Sequence, residues 1–146
     1  MKLLVVAVAL LATVSGQTPP AHMECHCGVF ISVQDGEIEI HRMKPIHLES
    51  CDDVEECTAG CSEEWANGAG GGDLDAELAN GQTLGHELCH GANELHHSEV
   101  HHAIPMVYSR TCDGGWTQTG DQASDYLCCH QGKQVDCDHH PTKPPM

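Results

Sequence analysis

Aromatic residues are scarce in this 146-residue chain: two Trp, two Tyr and one Phe make 3% of it. A core of ordinary size is built largely on such side chains, so something other than buried aromatic area must hold this one. Basic residues are scarce too, six Lys and Arg against 22 Asp and Glu. That balance excludes nucleic acid and anionic membrane surfaces as partners. Apolar runs are missing beyond the first 16 residues, and no internal repeat or Asn-x-Ser/Thr acceptor occurs. A chain this short is read as one small domain.

What is abundant is cysteine, ten residues, and histidine, thirteen. The one apolar run, Leu3 to Val14, follows Lys2 and is followed by Ser15 and Gly16. Twelve residues fall short of the roughly 20 that span a bilayer, so residues 1–16 read as a cleaved secretory signal and the mature chain as secreted, extracellular and not membrane-bound. After the leader, five basic residues face 22 acidic ones, a net charge of −17 with histidine neutral. Protonation of the histidines would shift it toward −4 in mildly acidic fluid.

Export makes the cysteines disulfides. Cys25, Cys27, Cys51, Cys57, Cys61, Cys89, Cys112, Cys128, Cys129 and Cys137 should form five bridges, whose connectivity the sequence leaves open. A rival reading of Cys25-His26-Cys27 and Cys128-Cys129-His130 as metal ligands belongs to reducing compartments.

The expected fold is α+β: a small disulfide-rich domain over residues 25–137, with two or three helices packed on a short antiparallel sheet of hairpins. Residues 17–24 read as an irregular lead-in and 138–146 as a disordered His/Pro tail. Val29, Ile31 and Val33 alternate with polar positions, Asp35-Gly36 follows, and Ile38 and Ile40 resume the alternation, which predicts a hairpin on a type I′ turn. Ser50 is expected to cap a helix running to Trp65. It would bury Val54, Cys57, Thr58, Cys61 and Trp65 on one face and be bolted through its two cysteines to two other segments. Asp73 to Asn80 reads as a short helix closed by Gly81, and Thr83 as the cap of another with Leu84, Leu88, Ala92 and Leu95 as its apolar stripe. Met106 to Cys112 reads as strand, and Gln131-Gly132 as the turn of a second hairpin. Adjacent Cys128 and Cys129 point to opposite sides of a strand and should bridge to different neighbours.

Histidines concentrate between His86 and His102. On a continuous helix His86, His90 and His97 share the face opposite the leucines, and His101 extends the stripe. His86, His90, His97 and His101 are therefore the candidate ligands of zinc or another divalent metal, since imidazole suits zinc, copper and nickel. The carboxylates between Asp35 and Glu99 could take calcium or a mineral surface diffusely, although no twelve-residue calcium loop appears.

His86-Glu87-Leu88-Cys89-His90 also fits H-E-x-x-H, with Asn93 and His96 following at the spacing of a longer signature and Met106-Val107-Tyr108 beyond. In residues 86–108 the chain thereby resembles the metzincin zinc proteases. That resemblance implies His86, His90 and His96 as zinc ligands, Glu87 as general base and Met106 under the metal, on a multistranded sheet of which the sequence before residue 84 offers only one hairpin. Across residues 25–137 the pattern of a Cys-x-Cys-Gly opening, a bridged helix and a Leu-Cys-Cys-x-x-Gly close is similar to small secreted cysteine-rich proteins of molluscan mantle and shell matrix. That similarity implies a noncatalytic matrix or secreted-fluid component, with divalent metal ions or mineral and matrix components as partners. Two alternatives of other classes stand beside it: a compact metzincin-like endopeptidase, and a secreted disulfide-framework ligand or toxin.

Overall fold

The computed structural model describes residues 23–137; the leader, most of the lead-in and the His/Pro tail lie outside the described residues. The chain forms β1 (Glu24–Val33), β2 (Gly36–Arg42), β3 (Ile46–His47), α1 (Val54–Gly68), α2 (Leu84–Glu94), β4 (Val100–Ala103), β5 (Met106–Thr111), β6 (Thr117–Gln122), β7 (Leu127–His130) and β8 (Lys133–Val135), with a 3-10 turn at Gly70–Gly72 after α1. It is a small α+β fold with two antiparallel sheets. The first is ordered β2-β1-β5-β6, with β3 also on β1, and the second β4-β7-β8.

Alternation makes the first hairpin. Cys25, Cys27, Val29 and Ile31 of β1 point inward at no more than 1% exposure. Val33 pairs with Gly36, so Gln34 and Asp35 form the loop and only Gly36 takes a positive φ, 130°. The expected type I′ turn needs positive φ at both central residues and is therefore not the one formed. The second hairpin does have that feature, with Gln131 at φ 51° and Gly132 at 75°.

The helix α1 lies across β5, β1 and β6. Cys57 and Cys61 are one turn apart and bridge to Cys25 and Cys27, two residues apart on β1. A helical turn of about 5.4 Å and a two-residue strand step of about 6.6 Å nearly match, so both bolts reach one strand and not the two segments expected. Thr58 Oγ1 lies 3.2 Å from Ser109 Oγ, giving that buried hydroxyl its partner. Ser50 does not cap the helix: its Oγ accepts from Asp52 N in a turn before it, and the helix begins at Val54, which is 50% exposed and not on the buried face expected of it. Cys51 is meanwhile tied to Cys112, just past β5.

The third helix expected at 73–80 does not form. Its backbone acceptors are drawn elsewhere, Leu74 O to the Gly85 N–H and Ala76 O to the Leu84 N–H, while Asp73 Oδ1 accepts from Asp75 N in a turn. The segment thus satisfies the open N–H groups of α2. Thr83 caps α2 as expected, its Oγ1 accepting from His86 N at 3.2 Å. Leu84, Leu88 and Ala92 are fully buried, but Leu95 is 46% exposed because it lies past the helix. Cys89 bridges to Cys129, and Cys128 turns the other way to Cys137. Most of the buried apolar side chains form one cluster, to which β1, α1 and α2 all contribute.

Candidate functional site

The capped helix α2 presents His86 and His90 one turn apart on its exposed face, while its opposite face is held by Leu84, Leu88 and the Cys89–Cys129 bridge. Glu87, between them, is half-buried and accepts a hydrogen bond from Asn80 Nδ2 at 3.1 Å. Across the packing contact His41 on β2 is within electrostatic reach of Glu87. Burial pushes the His41 imidazole below the ordinary histidine value, against the opposing pull of Glu87 and Glu39. His90 Nε2 lies 3.4 Å from Glu94 Oε1, an exposed pair of little energetic weight.

The helix ends sooner than the imidazole stripe requires. His97 N–H donates to Ala92 O at 2.9 Å and His96 N–H to Asn93 O at 3.0 Å, with His96 at φ 66°. This is a Schellman closure in which a histidine holds the left-handed position that glycine or asparagine favours. Asn93, where the protease resemblance would bend the chain, is still helical. His96→Gly is expected to raise stability by roughly 0.5–1 kcal/mol by relieving the Cβ at that position. A denaturant midpoint that stays put or falls would contradict the assignment of strain to this residue.

Beyond the closure, His97 and His101 leave the helix face and meet again elsewhere. With Asp35 and Glu99 they line a groove of about 420 Å³ beside the tip of the first hairpin. Glu99 is held there: its Oε1 accepts from Gln131 N at 2.9 Å and its Oε2 lies 2.9 Å from His130 Nδ1. The backbone hydrogen bond foremost, then His130, keeps this exposed carboxyl below the usual glutamate range. The segment read as one stripe is therefore two places, His86 with His90 on α2 and His97 with His101 at the groove. Glu99 lies inside the histidine-rich segment and was open to notice there. His41, Asp35 and His130 come from distant sequence, and nothing local places them beside the histidine-rich segment.

Among the described residues, three or more ligand atoms lie within 4.8 Å of one another in only two groups, Cys25 with Cys27 and Cys61, and His102 with Cys128 and Cys137. Every cysteine in them is disulfide-bonded. Neither His86, His90 and His96 nor any three of His86, His90, His97 and His101 converge to that extent. Met106 opens β5, paired with Phe30 and Gln122, and does not sit in a turn. Before α2 the described chain has three strands, one of them two residues long.

A cavity of about 620 Å³ lies between the 73–75 turn and the 124–126 and 134–137 segments. His102 lines it, with its ring 5.8 Å from that of Tyr126. Compared with protein-family models, curated proteins and solved structures, the chain has no match.

Proposed function

We propose that the chain is a secreted, acidic, cysteine-rich extracellular protein without catalytic activity, a component of a matrix or secreted fluid such as a shell or biomineral matrix. Its 86–102 segment takes divalent metal ions. The observation that carries this reading is the exposed His86–His90 pair, set at helical spacing on an element whose other face is buried and bridged. Two imidazoles one turn apart can grip one ion without rearranging the backbone, and a helix fixed from behind supplies them at little further entropic cost. The groove imidazoles His97 and His101, with Glu99 held by His130, offer a second nitrogen and oxygen donor set. Five disulfides fit an oxidising extracellular compartment, and no helix among the described residues is long and apolar enough to cross a membrane.

Calorimetric titration of the oxidised protein with zinc, copper and nickel is the test. Replacing both His86 and His90 by alanine is expected to weaken the tightest site at least tenfold, about 1.4 kcal/mol, whereas Glu87→Gln changes it less than about twofold. Silence toward all three metals removes the reading. Chelator-sensitive peptide cleavage that disappears in Glu87→Gln would replace it with the endopeptidase.

A further inference from the structure

Of the five bridges, Cys128–Cys137 is set apart by its surroundings. Cys128 is 1% exposed, while Cys137 is half-buried and lines the 620 Å³ cavity. The backbone N–H of His102 donates to Cys128 Sγ at 3.3 Å. A ring nitrogen of His102 and both sulfurs lie within 4.8 Å of one another. His102 holds this place with φ 50°, a conformation its backbone adopts against the preference of a β-carbon-bearing residue. The pair thus has a partly accessible sulfur on one side, and on the other a buried sulfur that accepts a backbone N–H.

We propose that Cys128–Cys137 is an exchangeable disulfide, opened at Cys137 by thiols that enter the cavity. The thiolate attacks Cys137 Sγ, a bond forms between the external sulfur and Cys137, and the Cys128–Cys137 bond breaks with its electron pair leaving on Cys128. The His102 N–H holds the departing thiolate. The incoming thiol gives its proton up to solvent, and Cys128 takes one back from solvent. The external thiol ends in a mixed disulfide, Cys128 ends as a thiol, and no other oxidant or reductant is needed. A thiolate leaving group is favoured by a hydrogen-bond donor beside it, here the His102 N–H.

The cavity also selects. Asp73, Asp75, Asp125 and Asp136 line it, so it repels thiols that carry carboxylates and draws in those that carry an amine. Its substrate class is a cationic thiol, either a small aminothiol or a cysteine within a basic peptide.

The intact oxidised protein, incubated with low-millimolar cysteamine, acid-quenched, alkylated and mapped by mass, should first show cysteamine on Cys137 and a free thiol at Cys128. Exposure alone favours a different bridge, Cys51–Cys112, since Cys51 is exposed. Opening there first would overturn the proposal. Each rate is divided by that of the same thiol on an unstructured peptide disulfide. So normalised, cysteamine should outpace glutathione at Cys137 about tenfold at low ionic strength, with the advantage shrinking in 1 M salt. Equal normalised rates would reject the aspartate-lined entry.

Discussion

Complete reduction without denaturant is expected to unfold the protein, with near-UV circular dichroism and the cooperative thermal transition both lost. The reason lies in what the core is made of. Among the described residues, eight of the buried apolar side chains are half-cystines, and Trp65 and Tyr108 are the only buried aromatics. Little aliphatic or aromatic area would remain to hold α1 on β1 or α2 on β7 once the sulfurs separate. Four bridges close loops with sequence separations of 32, 34, 61 and 40 residues, against 9 for the fifth. At about 2–4 kcal/mol for each bridge, the set contributes on the order of 10–20 kcal/mol, which equals or exceeds the net stability of an ordinary domain. Opening Cys128–Cys137 alone frees only the short loop and should leave the transition cooperative. A chain with all ten thiols alkylated that still melts cooperatively would show that the apolar cluster suffices by itself.

Where local pattern governs the backbone, the structure is legible in the sequence. The alternation of Val29, Ile31, Ile38 and Ile40 marks the first hairpin, Thr83 three residues before His86 marks a helix cap, and adjacent Cys128 and Cys129 must diverge. What stays hidden is the long-range pairing that local pattern does not encode. The seam of the main sheet is β1 against β5, Cys25 to Phe30 against Thr111 to Met106, some 80 residues apart. The 73–80 segment has the composition of a short helix, yet its carbonyls serve the start of α2, a demand that arises only in the folded chain. The candidate site divides in the same way. His86 and His90 follow from helical spacing. The separation of His97 and His101 depends on a closure at His96, a position where helical periodicity alone would continue the helix. The partnership of Glu99 with His130 rests on the β4–β7 pairing, and that of Glu87 with His41 on the packing of α2 against β2.

Gly91→Ala is expected to destabilise the protein by about 3 kcal/mol, at the upper end of what overpacking costs, and to lower the melting temperature by roughly 10–20 °C. Helix propensity alone points the other way, since alanine in place of a mid-helix glycine gains about 1 kcal/mol. A β-carbon on Gly91, however, would sit 1.6 Å from the carbonyl oxygen of Ile40, a backbone atom of β2 and not the free end of a flexible side chain. The helix would have to lift from β2, loosening Leu88 and Ala92 and pulling on the Cys89–Cys129 anchor. Gly60→Ala in α1 is the matched control. Its β-carbon meets Ile46 Cδ1, the far end of a flexible side chain, at 2.7 Å, so the substitution should be neutral or mildly stabilising. If Gly91→Ala proves as stable as its parent, α2 does not pack this closely on the sheet. The variant also bears on the metal site. His86 and His90 keep their spacing on any intact α2, so an ion held by that pair alone should bind the folded variant with unchanged affinity.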